Sequence, residues 1–448
     1  VPASTFHLED QGYWWPANPK ICHNESMIEN ILLQRNIVLV SALYPPEPQI
    51  SALMSFDLAN KLASQGHYVT VLCPQPSRPL TANYCEYKDT DSAVINFDGK
   101  VKVVRLPSFN APQSKFFLRM WESISFGMRA VKYLVGINVK VDVIYINAWP
   151  IFAQSIISSF ARIYSVPFVL QIMDIYPESI IRRLPYFLKF IFYKPLQKLD
   201  TWIANAAKNV VVISENMKLT YIHNRSVPNS KVIIIPTWQD DIAFKNIPSR
   251  IFACEKYCVP NEIFTFLFLG NIGPVAGVDF LIRAFFKAKI KNAQLLIIGD
   301  GASKISCMEL SKSLNLTNIY FISDPESANV PFLQSMAHVC LLPMKQGYGK
   351  SSIPSKLPSY LFSAKPIIAS VDLDSDTAEF VRQAKCGWVG EAENLTWLAN
   401  KMKDVIQLSS TQLDHIGQRG KKFGLLHFSK SSGVNQLAKI VLESADTS

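Results

Sequence analysis

The chain has 448 residues, 49% of them hydrophobic and 18% charged, and carries a net charge of +10. It is too long for a single hydrophobic core and too apolar for disorder, so two packed domains are expected. The basic excess calls for an acidic partner. No dense basic run marks a nucleic-acid arm, and no uninterrupted apolar run reaches the ~18 residues of a membrane-spanning helix, so neither nucleic-acid binding nor a transmembrane anchor is expected.

In chain order, residues 1–26 lack a basic start followed by an apolar core and do not read as a signal peptide. Met27 opens a natural start, and residues 1–35 are treated as an N-terminal extension outside the fold. The first expected strand is Asn36–Ser41 (NIVLVS), by its β-branched content. A loop with Pro45, Pro46, Pro48 and Gln49 follows. Then comes an amphipathic helix from about Ala52 to Gln65, ended by Gly66, and the strand Tyr68–Cys73. This strand–loop–helix–strand unit opens a doubly wound α/β domain, and the proline loop lies at the sheet edge where ligands bind in such folds. It lacks a G-x-G-x-x-G run, so dinucleotide binding is not expected.

Further strands are expected at Val101–Leu106, Val141–Ile146, Pro167–Met173, Asn209–Ser214 and Lys231–Pro236. Two stretches mix cations with large apolar groups: Lys115–Val135, and Arg182–Lys194 (RRLPYFLKFIFYK). In the second, Arg182, Arg183 and Lys189 lie among Phe187, Phe190, Ile191 and Phe192, more apolar surface than one buried stripe needs. This stretch is read as a surface for anionic lipid headgroups. Asp174 follows the Pro167–Met173 strand directly, in DIYPES, where a carboxylate can orient a hydroxyl or accept a proton. Glu178, in the same motif, is a second candidate on that side.

A hinge spans roughly Thr237–Ile263. A second α/β unit then starts at Phe264–Gly270, and the loop after it (NIGPVAG) carries Asn271 and Gly273. Gln294–Ile298 runs into Gly299 and Gly301; glycines at such places let backbone approach a ligand closely. Asn318–Ile322 is a short strand before a turn at Asp324. Val339–Leu342 feeds a loop rich in Gly, Ser and Lys, a helix from about Pro354, and the strand Pro366–Ser370. A strand followed by a loop of small residues and a helix start suits an anion, and Lys345, Lys350 and Lys356 add charge; we read it as the seat of a nucleotide diphosphate. After DLDSD (Asp372–Asp376) a helix begins at Thr377, and the amphipathic segment Ser429–Ala445 is expected to pack back onto the first domain. The eight cysteines are scattered; only Cys254 and Cys258 are close, and nothing nearby completes a zinc set. A reducing compartment and no metal centre are expected.

Two Rossmann-like halves, a hinge and a phosphate-type loop describe an α/β GT-B architecture, with two domains facing across a cleft and a C-terminal helix crossing back. From about Asn36 onward the chain resembles retaining glycosyltransferases of family four, in particular bacterial cell-surface polysaccharide enzymes. The likeness rests on YPPEP, DIYPES, FLGNIG, IGDG and PSKLPSYLFSAKPIIA in that order. It implies an acceptor domain over residues 36–236, a donor domain over 237–428 and a closing helix over 429–448. It places Gly270, Asn271 and Gly273 near the donor phosphates, Ser355 and Lys356 at the phosphate site, Ser359 on the same helix, Asp324 beside the base and Asp174 facing the sugar. Pro48, Gln49 and Glu178 fall on the acceptor side.

The implied reaction is glycosyl transfer with retention from a UDP- or GDP-sugar to a lipid-linked or oligosaccharide acceptor, without metal or cofactor. The implied location is the cytoplasmic face of the inner membrane. Many relatives carry two glutamates where this chain has Ser351 and Ser359, and an Arg and a Lys where it has Asn271 and Ala276. The alternatives are a catalytically degenerate scaffold subunit and a sugar-nucleotide epimerase.

Overall fold

A computed structural model describes residues 34–77, 84, 94–96, 99–107, 109, 116–147, 151–178, 186–323, 329–348 and 353–446. Two sheets organise these residues. The first contains β1 (Asn36–Ser41), β2 (Tyr68–Pro74), β3 (Val94–Asn96), β4 (Val101–Leu106), β5 (Val143–Asn147), β6 (Phe168–Ile172), β7 (Asn209–Val212) and β8 (Val232–Ile234). Their order is β3-β4-β2-β1-β5-β6-β7-β8, parallel except for the β3–β4 pair. The second contains β9 (Phe264–Leu269), β10 (Ala293–Ile298), β11 (Ile319–Ile322), β12 (Val339–Pro343), β13 (Ile367–Val371) and β14 (Gly387–Glu391), all parallel, in the order β11-β10-β9-β12-β13-β14.

Strands such as β5, β6, β10 and β12 are buried at every position, which is why they read as unbroken apolar runs rather than alternating ones. Helices cover both faces of each sheet, giving the first domain one core on each face and the second domain likewise. The architecture is therefore two doubly wound α/β domains, as expected.

The C-terminal helix Lys430–Ala445 returns to the first domain. Its Val434, Leu437, Ala438, Ile440, Val441 and Ala445 are buried with Leu39, Leu58 and Tyr145. Where the chain crosses between domains, two segments lie side by side: Gln239 and Ser429 form an isolated parallel bridge, and the Gln239 N–H donates to the Phe428 carbonyl at 2.9 Å. Asp57, on the helix Ile50–Ser64, holds both crossings. One carboxylate oxygen accepts from Trp238 Nε1 at 2.9 Å and the other pairs with Lys430 Nζ at 2.6 Å.

The elements differ from expectation in several places, and the strands β3 and β14 were not among those expected. The helix expected from about Pro354 is Lys356–Phe362. The hinge contains a helix of its own, Arg250–Lys256, with Ser249 as its N-cap accepting from the Phe252 N–H. The helix Tyr186–Ala206 runs on through Pro195, where a proline ordinarily breaks the hydrogen-bond ladder. Among the described residues no helix is long and apolar enough to cross a membrane.

Candidate functional site

In the second sheet, connections run outward from β9 to β10 and β11, then reverse to β12 on the other side. The carboxyl ends of β9 and β12 therefore flank a crevice with no crossover above it, the usual ligand position in open α/β sheets. The loop after β9 holds Gly270–Gly277 and the loop after β12 holds Met344–Tyr348. The two are joined by a hydrogen bond from the Lys345 N–H to the Val275 carbonyl at 3.3 Å.

Two glycines are required here by sterics. Gly270 has φ +142, and a Cβ on it would press on Lys356 Cε at 3.2 Å. Gly299 has φ +135, and a Cβ there would meet the Gly270 carbonyl oxygen at 2.1 Å, which no repacking absorbs. The protein itself fills both positions, the Lys356 stem at Gly270 and the Gly270 carbonyl at Gly299, so the ends of β9 and β10 and the start of the helix Lys356–Phe362 pack closely together.

Lys356 supplies the charge. Its ammonium lies 4.1 Å from the centroid of Phe268, the buried β9 residue two before Gly270, and against Gly270 itself. Among the described residues it makes no ion pair and no side-chain hydrogen bond. Burial without compensation pushes its pKa down from 10.5 to about 8. A half-buried cation on an aromatic face, beside bare backbone, favours an incoming anion.

Of the other residues marked in the sequence, Gly270, Asn271, Gly273 and Lys345 fall on these two loops, and Ser355 is exposed at the N-cap of the helix Lys356–Phe362. Ser359 is buried on that helix. It donates to the Lys356 carbonyl and accepts from Gln334 Nε2 at 2.9 Å, so its hydroxyl is spent inside the domain. Asp324, Lys350, Arg182 and Arg183 lie outside the described residues, as do the side chains of Phe187, Lys189 and Phe190.

In the first domain, Asp174 is exposed just beyond the carboxyl end of β6. Pro48 is exposed, and Gln49 stands at the N-cap of Ile50–Ser64 with its Oε1 buried and unpartnered among the described residues. Glu178 is engaged: Arg225 Nη2 donates to both its oxygens at 2.8 Å, and the Tyr193 hydroxyl is 3.4 Å away. Arg225 is fully buried; its Nε also pairs with Asp200 at 2.7 Å and its Nη2 also donates to the Tyr176 carbonyl. Desolvation raises the Asp200 pKa to about 6, against the lowering by Arg225 and Tyr221.

Sequence reasoning passed over Arg225, Asp200, Asp372 and Asn216. Asp372 accepts from the Gly347 N–H at 2.9 and 3.0 Å, pinning the loop after β12. Asn216, beyond β7, reaches Asp376 beyond β13, so the carboxyl ends of the two sheets meet across the cleft. The DLDSD run was the one available signal.

Known proteins resemble this chain in sequence and in fold. Residues 54–241 match the family model described as Glycosyltransferase Family 4, and residues 255–423 match Glycosyl transferases group 1. The chain is 23% identical over 258 residues to the glycosyltransferase WbjE of Pseudomonas aeruginosa, a match over 55% of this chain and 61% of that protein's length. It is 23% identical over 334 residues to the colanic acid biosynthesis glycosyl transferase WcaI of Escherichia coli, over 72% of this chain and 80% of that protein. The structure of Anabaena HepE in complex with UDP superposes with a TM-score of 0.65 at 15% identity, over 92% of this chain and 100% of that one, a likeness of fold.

Proposed function

We propose that the chain, whose two domains match glycosyltransferase family models, is a glycosyltransferase of the two-domain GT-B type that moves a sugar from a nucleoside-diphosphate sugar, UDP- or GDP-linked, to a glycan acceptor with retention at the anomeric carbon. The single observation that carries this reading is Lys356: an ammonium beside Gly270 and Phe268, with its pKa pushed down to about 8 and no acid among the described residues to neutralise it. The diphosphate lies against the backbone of Gly270–Gly273 with Lys356, Lys345 and Ser355 around it. As the bond from the anomeric carbon to the β-phosphate oxygen breaks, the Lys356 ammonium meets the charge that develops on the leaving diphosphate. The acceptor oxygen takes its place on that carbon, and its proton ends on the nucleoside diphosphate. Asp174 faces the sugar, and Pro48 and Gln49 line the acceptor side.

The acceptor in this reading is lipid-linked and is met at an anionic membrane surface. The helices Phe116–Gly136 and Tyr186–Ala206 meet at an edge-on contact of Phe117 with Phe192, centroids 6.4 Å apart. Around it Phe117, Trp121 and Ile191 are 54%, 54% and 58% exposed, and Lys194, on the same helix as Ile191, is exposed too. Exposed apolar side chains with a neighbouring cation suit an interface of headgroups.

The test is a transfer assay with UDP- and GDP-sugars and undecaprenyl-linked glycan acceptors, reading nucleoside diphosphate release and product anomer. Release that needs acceptor, persists in EDTA and gives a product of the donor's configuration is expected. Inversion of the anomer contradicts the retaining assignment, and isomerised free nucleotide sugar without transfer replaces the reading altogether.

A further inference from the structure

The run Asp372–Asp376 forms one tight turn between β13 and the helix Asp376–Ala384. The Ser375 N–H and hydroxyl both bond the Asp372 carbonyl, at 3.0 and 2.6 Å, and the Ser375 hydroxyl accepts from the Ala378 N–H as the helix cap. Asp372 and Asp376 are both buried, at 7% exposure. From this turn the two carboxylates reach different partners. Asp372 takes the Gly347 N–H through both oxygens and so fixes the loop after β12. Asp376 takes the Asn216 N–H at 3.2 Å and its Nδ2 at 3.1 Å, while Nδ2 also reaches the Asp374 carbonyl at 3.3 Å. Asn216 lies in the first turn of the helix Glu215–Arg225, in the other domain.

We propose that the Asp372–Asp376 turn couples the order of the Met344–Tyr348 loop to closure of the two domains, with Asp372 as the positioning residue for the loop and Asp376 as the clasp on Asn216. The turn joins its two partners through a capped, doubly hydrogen-bonded backbone, so displacing one end displaces the other. Domain opening that pulls Asn216 away frees Asp376 and loosens the turn that holds Gly347. By reciprocity, an anion that orders the loop favours the closed arrangement by the same factor. That the loop faces a donor rests on the proposed function; the clasp itself does not.

The experiment uses Asn216→Ala in the full chain. Asn216 is in the first domain, and among the described residues its hydrogen bonds reach the second domain only at the turn. Hydrogen exchange is read by mass spectrometry on the peptide containing residues 344–348, against β10 as an internal reference. Exchange about tenfold faster at 344–348, with β10 unchanged, is expected for local opening. Unchanged exchange at 344–348 overturns the coupling, and acceleration in both peptides alike shows a loss of fold instead and equally overturns it. As the reverse arm, Asp372→Asn is expected to raise the radius of gyration by small-angle scattering; a wild-type radius overturns reciprocity. UDP and GDP titrations of the wild-type chain are run in parallel. Absence of binding of both nucleotides sinks the donor reading and leaves the exchange result to decide the clasp.

Discussion

Arg225 in the first domain and Lys356 in the second are both drawn out of water, but among the described residues only Arg225 of the two has acids to pair with. Asp200 and Glu178 stand at 2.7 and 2.8 Å from its guanidinium, and the Tyr176 carbonyl takes a further bond. Lys356 has the face of Phe268 and the bare backbone of Gly270. A buried charge compensated within its own domain is a structural element; one left uncompensated at a sheet's carboxyl edge is a place for an anion. The first domain's cleft loops follow the same rule. Arg105 donates to the Pro45 carbonyl at 2.6 Å and Glu47 accepts from the Ser77 N–H at 3.0 Å, so these two charges bond within the domain.

The largest expected effect breaks the first half of this contrast. Arg225→Ala leaves Asp200 buried without its cation and is expected to destabilise the chain by about 3–5 kcal/mol, read by urea unfolding. A loss under about 1 kcal/mol would show that the pair is not structural. Next, Gly299→Ala drives a Cβ into the Gly270 carbonyl, and Gly270→Ala presses on the Lys356 stem. The first is expected to cost about 2–3 kcal/mol of stability. The second should weaken UDP binding several-fold with a smaller stability loss.

A smaller effect sharpens the contrast through pH. The Lys356 pKa of about 8 lies below its unfolded value, so the unfolded chain holds more protons between about 8 and 10.4. The burial penalty on the charged form is therefore present below pH 8 and relieved as pH rises through that window. Binding runs the other way. The anion needs the ammonium, so UDP affinity is expected to fall as pH rises past about 8, and Lys356→Ala should abolish that step. The smallest effect concerns the exposed patch: Trp121→Ser with Ile191→Ser should reduce sedimentation with anionic liposomes without altering UDP binding.

Much of the fold is written locally. β1 and β4 coincide with the expected Asn36–Ser41 and Val101–Leu106, because short β-branched runs bounded by turn residues have few other uses in a parallel sheet. The return of Lys430–Ala445 to the first domain was legible from its apolar stripe. Lys356, Gly270 and the glycine loops were legible as a charge and a bare backbone, and the family likeness joined them. What stayed hidden depends on partners far apart in sequence. Arg225 reads as an ordinary helix-end cation until the chain brings Asp200 and Glu178 to it, and Asn216 as an ordinary helix residue until Asp376 arrives from the other domain. Ser359 was marked by the family's pattern, but the neighbour that decides its hydroxyl, Gln334, is on another helix.

The most direct test is isothermal titration of uridine and UDP into the wild-type chain and Lys356→Ala at pH 7. The expected result is that the wild type prefers UDP over uridine by tenfold or more, about 1.4 kcal/mol, and that Lys356→Ala removes most of that preference while its urea midpoint stays close to wild type. Equal UDP affinity in the two proteins would contradict the assignment of Lys356 to the diphosphate.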